Sequence, residues 1–443
     1  MQILCIKMSC GKGNITIDKT HARRIEDGRI IKDLPLIRYK EKLVTLFSVI
    51  SPTECPNCGA RLLKNKVHHR YLVSSYGILE IPVRYWKCSA KVCNHHCADE
   101  IAGVDGSNNY TDEYMEIQYR TRYEGKCSLH NNRRVGEIYT FEGDFPGRAA
   151  CPTTLWKYEQ KQGKISLEEI RNTEVPFDGT LYIDGYWVKD GWKKFVEKEL
   201  GRELTDRQWK RERHKVIYVV STKDYVVLDF EITDQKAPYF SITPMLKRIK
   251  SRFGEENIKR VVSDEDFTIV NAVKAVFPKA AQGFCVFHQL KNLAKQFWEH
   301  FKVELNDLPK WAKRLYEMGK RLITSDNVIE ATVKLREVDD FVSDSKARGS
   351  RKKFESDIHR FLKDKFESNV KYLKKGFVPD TNNVMEQLFS FWDDLFYQVR
   401  SFKTRYGLRN FTANLYCIGN NRKFNTGKRK GYSPIEAAYL KPG

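Results

Sequence analysis

The stretch that decides the fold is Ile258–Phe301, which reads IKRVVSDEDFTIVNAVKAVFPKAAQGFCVFHQLKNLAKQFWEHF. A short β-branched run ends at Ser263 and Asp264, and apolar residues then recur at helical spacing until Pro278 ends the pattern. The same order follows again, with an apolar, strand-like segment at 280–287 and then an amphipathic helix. This alternation predicts a parallel α/β core with Asp264 at the carboxyl end of a strand.

Composition restricts the class of protein and of partner. The chain has 443 residues, 41% of them hydrophobic, which suits a globular protein of roughly two to four domains. Its formal net charge of +21 favours a polyanionic partner, and nucleic acid comes first because basic side chains displace counterions from phosphates. On charge alone, a basic ribosome-associated or membrane-surface protein is the alternative.

The sequence also indicates where the protein acts. No apolar run reaches the length of about 20 residues that a bilayer-spanning helix needs. The N-terminal stretch MQILCIKMSCGKGN is too short and too polar for a secretory signal. We therefore expect a cytoplasmic, nucleoid-associated protein without a membrane partner.

The eleven cysteines predict a metal site rather than disulfides, because no export signal is present. A CxxC knuckle places two thiolates on one tight turn, and a second pair at the far end of a hairpin would complete a tetrahedral zinc site. The preferred structural Zn²⁺ ligands are Cys55, Cys58, Cys88 and Cys93. Residues that could replace one of the last two are Cys97, His95 and His96. Free or redox-active cysteines are the alternative.

Helical patterns dominate the region that follows the cysteines. Tyr110–Tyr123 and Val135–Phe141 are predicted as short helices, and a longer helix with a basic face follows Cys151-Pro152-Thr153-Thr154. This region is compatible with a helix-turn-helix that reads DNA and equally with a plain helical linker.

The decisive stretch resembles a known family of enzymes. It is similar to the block around the second catalytic aspartate of Mutator-like transposases and the related bacterial and archaeal insertion-sequence transposases. The similar residues are Ser263-Asp264, then AVKAVFP at 272–278, and then Cys285 and His288 followed by QLKN. Many members have glycine where this chain has Glu265, and a further acid follows at position 266. The choice of the inward-pointing carboxylate among these acids therefore stays open.

Two later stretches extend the resemblance. TNNVMEQLFSFW at 381–392 is similar to the family's block around its catalytic glutamate, which assigns that role to Glu386. The chain then closes with a basic run and SPIEAA at 433–438, as insertion-sequence transposases often do.

The element order upstream fits the core of these enzymes. Leu181 and Ile183 alternate with polar residues and predict a strand that ends at Asp184, and runs at 215–221 and 225–233 predict a hairpin. A helix over 237–253 precedes the strand that ends in Asp264. Three antiparallel strands, a helix, a parallel strand, a helix and a strand are the order of an RNase H-like core.

The resemblance implies a two-metal active site. Carboxylates hold two Mg²⁺ or Mn²⁺ ions about 3.5–4 Å apart, which activate the attacking oxygen and neutralise the leaving oxygen. The implied catalytic and metal-binding residues are Asp184, Asp264 and Glu386. Cys285 and His288 are placed near the site without an assigned role.

The resulting expectation is a mixed α/β DDE transposase that cleaves transposon ends and transfers strands into target DNA. Its partners would be double-stranded DNA, with terminal inverted repeats and target sites, and further copies of the chain in a dimer or larger oligomer. The alternatives are a catalytically inactive zinc-ribbon DNA-binding regulator and an RNase H-like nuclease that acts on RNA or hybrids.

The same reading divides the chain into six segments. The expected order is an N-terminal segment of open role (1–50), a zinc-ribbon-like DNA-binding domain (51–100), a helical region compatible with a DNA-binding helix-turn-helix (101–172), the first part of an RNase H-like core (173–302), a helical insertion (303–378), and a final catalytic helix with a basic tail (379–443).

Overall fold

The computed structural model describes most of the chain as two compact units, 1–161 and 162–443. The described residues are 49–137 and 149–440, except for 75–76, 107, 190–196, 199–200, 207, 210–213, 235–236, 378–380, 400–401 and 403. Only the backbone is described for 77–80, for 214 and for several short strands between 16 and 48. Within this part of the chain, none of the helices combines the length and apolar character needed to cross a membrane.

The first unit is built from short antiparallel sheets. Its first six strands are β1 (Thr16–Asp18), β2 (Arg23–Glu26), β3 (Arg29–Asp33), β4 (Leu36–Tyr39), β5 (Lys42–Val44) and β6 (Ser48–Ser51). The remaining four are β7 (Leu62–Ser74), β8 (Gly77–Cys88), β9 (His96–Ala98) and β10 (Glu100–Ile101). The strand orders are β1-β4-β5, β10-β6-β3-β2 and β7-β8-β9. The segment 1–50, for which the sequence predicted no role, thus contributes strands to two of these sheets.

Helices follow the long β7–β8 hairpin. They are α1 (Asp112–Tyr123), α2 (Leu129–Glu137) and α3 (Pro152–Asn172). Thr111 caps α1 by accepting from the Tyr114 backbone N–H. The second helix begins six residues before the predicted Val135, and 138–148 lie outside the described residues. α3 begins at Pro152, where its missing N–H leaves no orphan donor.

The second unit holds a five-stranded mixed sheet. Its strands are β11 (Thr180–Lys189), β12 (His214–Ser221), β13 (Val227–Asp234), β14 (Arg260–Ser263) and β15 (Ala281–Phe284), in the order β13-β12-β11-β14-β15. The first three strands pair antiparallel, whereas β14 and β15 are parallel to β11. The prediction of a mixed α/β fold is therefore confirmed.

α4 (Thr243–Phe253) and α5 (Phe267–Val276) connect strands of the sheet and pack on it, and α6 (Val286–Phe301) follows β15. α4 begins six residues later than predicted, because the chain first makes a short 3₁₀ turn at Tyr239–Ser241 after Pro238. The predicted strand 280–287 ends at Phe284 and α6 starts two residues later. Most of the basic stretch 192–214 lies outside the described residues.

The rest of the chain is helical. The helices are α7 (Lys310–Ile323), α8 (Val328–Ser343), α9 (Gly349–Leu373), α10 (Asn383–Gln398), α11 (Arg405–Asn421) and α12 (Pro434–Ala438). α6 to α9 share one apolar core that includes Leu293, Leu315 and Leu362, whereas the sheet, α4 and α5 share another that includes Ile183 and Val261. Gly283 of β15 meets α9, since a Cβ there would lie 2.6 Å from the Tyr372 ring. This packing attaches α6 to α9, the helical block, to the edge of the sheet.

Candidate active site and candidate metal centre

Asp184 lies within β11 rather than at its end, which corrects the prediction. The strand continues to Lys189 because β12 pairs with it over its whole second half. The parallel neighbour β14 stops earlier, since its last pair joins Ser263 to Ile183. Asp184 therefore stands at the position where the central strand loses its parallel neighbour, and its side chain is buried.

Asp264 follows directly after β14, as the sequence predicted. Its Oδ1 accepts from the Asp266 backbone N–H at 3.1 Å, which fixes the turn into α5. The two neighbouring acids are engaged elsewhere. Both carboxylate oxygens of Glu265 accept from Lys365 of α9 at 2.5 Å, and the Asp266 carboxylate caps α5 through the N–H groups of Thr268 and Ile269. Among the described residues, the carboxylates of Glu265 and Asp266 are thus engaged by a lysine and by a helix N-terminus, whereas that of Asp264 is engaged by neither kind of partner.

Glu386 is in the first turn of α10, beside its buried face. The buried residues of this helix are Met385, Leu388, Trp392, Leu395 and Phe396. Val384 and Phe391 of the same helix are half-buried. The Glu386 side chain is 37% exposed, and its Oε1 lies 4.0 Å from Nε2 of His288.

The three acids act on one another electrostatically. Burial raises the pKa of Asp184 to about 8, with further contributions from Asp264 and Glu386, while the Gly185 N–H opposes the shift. Burial also raises the pKa of Asp264, whereas the adjacent His288 lowers it. The structure therefore brings Asp184, Asp264, Glu386 and His288 together around one locus, although they come from four separate elements.

Asn382 connects these elements, and sequence reasoning did not assign it a role. Its amide Nδ2 donates to Asp184 Oδ2 at 3.2 Å and to the Ile183 carbonyl at 3.3 Å. Its backbone N–H donates to the Cys285 sulfur at 3.1 Å. The asparagines of TNNVMEQLFSFW were the available signal, because they precede Glu386 and mark the start of α10. Cys285 thus fixes the start of this helix against the end of β15.

The donor set fits hard divalent cations. The strongest charged influences on the pKa of Asp184 are all acidic, namely Asp264, Glu386 and Asp266, so negative charge accumulates in a buried place. Asn382 Oδ1 and His288 Nδ1 are buried without a hydrogen-bond partner among the described residues. A Mg²⁺ or Mn²⁺ ion prefers oxygen ligands of this kind and would offset the repulsion.

The first unit carries a second candidate metal centre. The sulfurs of Cys55, Cys58, Cys88 and Cys93 all lie within 4.8 Å of one another. The Cys55–Cys93 and Cys58–Cys88 separations are 3.8 and 3.5 Å. Four ligands about 2.3 Å from a tetrahedral Zn²⁺ would be about 3.8 Å apart, so the four cysteines can hold such an ion. These are the ligands preferred from the sequence.

Local backbone geometry forms the two knuckles. Gly59 adopts a left-handed φ of 71°, and its N–H donates to the Cys55 carbonyl at 2.8 Å. At the other knuckle, Cys93 N–H donates to the Ala90 carbonyl at 3.1 Å. Asn57 Nδ2 donates to the Cys93 sulfur at 3.3 Å and lowers the pKa of Cys93 to about 7. The thiolate needed for metal binding is favoured by this contact.

The alternative ligands do not join the group. Cys97 lies on β9 and its pKa is raised by burial and by the nearby Cys55, but its sulfur is outside the four-sulfur cluster. His95 and His96 are likewise not part of it. Within the described residues, no other set of three or more acids, histidines or cysteines is as compact, so the ligand atoms of Asp184, Asp264 and Glu386 are spread more widely than the sulfurs.

Comparison with known proteins adds no relative. No protein-family model matches the chain. A search of curated proteins also gave no match.

Proposed function

We propose that this protein is a DNA transposase of the DDE type, with an RNase H-like core that cleaves transposon ends and joins them to target DNA. The observation that carries the proposal is the convergence of Asp184, Asp264 and Glu386, which is strong enough for the last two to raise the pKa of the first. A surface-exposed acid is common, but a buried acid such as Asp184 with two further acids from separate elements near it is costly without a function.

The order of the sheet supports this proposal. Three antiparallel strands followed by two parallel ones, in the order β13-β12-β11-β14-β15, is the arrangement expected of an RNase H-like core. Asp184 lies on the central strand β11, and Asp264 follows its parallel neighbour β14. Glu386 lies on α10, which comes after α6 to α9 in the chain. These are the relative positions implied by the transposase resemblance.

Asp184, Asp264 and Glu386 would together hold the divalent cations, with Asp184 at the centre of their mutual electrostatic influence. When bound, the ions activate an attacking hydroxyl and neutralise the leaving oxygen of the phosphodiester.

The chain's own residues prepare this site. Asn382 holds the Asp184 carboxylate through its amide, which directs the oxygens before a metal binds. His288, next to both Asp264 and Glu386, is positioned to orient these two carboxylates. The net charge of +21 would attract the DNA backbone, and the zinc-held hairpin of the first unit is the proposed DNA-binding module.

The direct test is to incubate the purified protein with Mg²⁺ or Mn²⁺ and DNA that carries the inverted repeats flanking its gene. We expect strand cleavage followed by joining. Binding without cleavage under all metal conditions would support a DNA-binding regulator instead. Cleavage restricted to RNA or RNA–DNA hybrids would support an RNase H-like nuclease.

Two adjacent acids should respond differently to the same change. Asp264→Asn should lower cleavage on the order of 10³-fold, because it removes a metal ligand. Glu265→Gln is the matched control, and cleavage should fall less than about tenfold because this carboxylate already pairs with Lys365. Initial rates of cleavage measure both effects. Equal losses in the two variants would show that Asp264 has been assigned wrongly.

Asn382 is expected to act as a positioning residue. Asn382→Ala removes the amide that holds Asp184, and cleavage should fall about 10–100-fold, the usual range for residues that orient metal ligands. The concentration of Mg²⁺ needed for half-maximal rate should rise as well. The exposed neighbour Asn383→Ala is the control and should leave both quantities unchanged. An unaltered Mg²⁺ requirement in Asn382→Ala would contradict this role.

A further inference from the structure

A cavity of about 300 Å³ lies beside α10. Its walls include residues of α10 and of the segment that follows α11. Gln387 lines it and accepts a hydrogen bond at 2.5 Å from the Tyr225 hydroxyl. Glu386 precedes Gln387 in the chain, but successive side chains of a helix do not face the same side, so the cavity and the carboxylate site use different faces of α10.

Aromatic rings form much of the cavity wall. The aromatic lining residues are Tyr225, Phe391, Trp392 and Phe424. The rings of Tyr225 and Phe424 meet edge to face, with centroids 5.8 Å apart. The guanidinium of Arg422 lies 4.0 Å from the centroid of the Phe391 ring. A flat, π-rich ligand could stack on such walls.

A buried hydrogen-bond donor lies at the same wall. Trp392 is 1% exposed, and its indole Nε1 has no acceptor among the described residues. The edge of this ring packs against Gly419, where a Cβ would lie 2.5 Å from Cζ2 and 3.4 Å from Cε2, the atom bonded to Nε1. Gly419 also lines the cavity. Trp392 is therefore a buried part of the cavity wall, and its N–H lies below the surface that a ligand could contact.

The charge around the cavity is positive. Arg422 and Lys423 line it, and its described lining residues include no carboxylate. A ligand that combines an aromatic face and a negative charge fits both the aromatic rings and the positive charge of the cavity. The cavity volume is at the lower end of the range for small-molecule sites, about 300–1,000 Å³. The cavity therefore suits one such ligand rather than several.

We propose that this cavity binds one unpaired nucleotide of a DNA strand, with its base against the aromatic rings and its phosphate near Arg422 and Lys423. The inference rests on the proposed function, because the strand would be part of the DNA that the proposed transposase cleaves and joins. Base–aromatic stacking tolerates different bases, so the cavity holds the strand rather than reading its sequence.

Photo-crosslinking of the full chain tests the cavity without requiring catalysis. Single-stranded oligonucleotides with 5-iododeoxyuridine at successive positions are irradiated with the protein in buffer without Mg²⁺ or Mn²⁺, and crosslinked peptides are identified by mass spectrometry. We expect crosslinks within 387–392 or 422–426. Phe424→Ala and Lys423→Ala should each reduce the crosslink yield, with Phe424→Ala reducing it at least about fivefold and weakening binding in fluorescence anisotropy similarly.

Tyr397→Ala is the matched control, because Tyr397 is an aromatic residue of the same helix that is 89% exposed and does not line the cavity. It should leave yield and affinity within about twofold of the wild type. Bound DNA that crosslinks only outside the cavity would overturn the inference, even if the wild type cleaves DNA in Mg²⁺. Crosslinks inside the cavity without cleavage would uphold it and contradict the proposed function instead.

Discussion

Replacing Asp184 with asparagine should abolish DNA cleavage while DNA binding persists. The side chain keeps its size and its Oδ1 can still accept from Gly185, but a proposed carboxylate ligand of the metal ions is lost. We expect a fall on the order of 10³-fold or more in the cleavage rate. The measurement pairs a cleavage assay with an electrophoretic mobility assay on the same DNA. Loss of binding together with cleavage would indicate a structural role.

The same variant should stabilise the metal-free protein at neutral pH. The pKa of Asp184 is raised to about 8 in the folded state, above its ordinary value near 3.8, so the folded state binds this proton more tightly than the unfolded state does. Its contribution to stability is complete below pH 4 and is lost as the pH rises toward 8.

Thermal unfolding in EDTA measures this effect. At pH 8, Asp184→Asn should raise the Tm by at least about 2 °C relative to the wild type, and the difference should shrink as the pH falls toward 4. Adding Mg²⁺ should raise the Tm of the wild type more than that of the variant. A variant less stable than the wild type at pH 8 would contradict the inferred electrostatic strain.

Removing the zinc should unfold the end of the first unit. The described core around the knuckles is small and consists largely of Leu62 and the cysteines themselves. Structural zinc in small modules contributes about 10–16 kcal/mol of binding free energy at pH 7, so the hairpin end should not persist without it. Elemental analysis should find one zinc per chain, and Cys88→Ser should lose it and expose β8 to proteolysis.

Cys97→Ser is the control for this experiment, because Cys97 is close to the cluster but outside it. It should retain zinc and resist proteolysis like the wild type. Zinc loss in Cys97→Ser with retention in Cys88→Ser would assign the fourth ligand differently. A purified wild-type protein without zinc would remove the metal centre altogether.

The sequence predicted those parts of the fold that local pattern controls. The β-branched run before Asp264 and the helical spacing after it gave the strand and helix of this crossover, and the CxxC spacing gave the cysteine cluster. The mixed order of the sheet was predicted from the hairpin at 215–233 and the helix at 237–253 that follows it. In each case the signal lies within a few residues of the feature.

The remaining details depend on partners distant in the chain. Asp184 lies inside a strand because β12 extends the pairing past Gly185, and no local residue announces this. The buried face of α10 uses Met385 and Trp392 because their neighbours are Ser221 and Gly419. Asn382 acquires its role only when α10 meets both Asp184 and Cys285. Such contacts require the tertiary structure.

The place of α10 after the helical block has a consequence for biosynthesis. Domains fold as the ribosome emits them, at about 5–20 residues per second, so the sheet with Asp184 and Asp264 and then α7 to α9 emerge before Glu386 does. For roughly ten seconds a nascent chain would display an incomplete carboxylate set. A translation product that stops within α9 would therefore lack the third acid of the proposed site, since Glu386 is made only when the polypeptide is nearly finished.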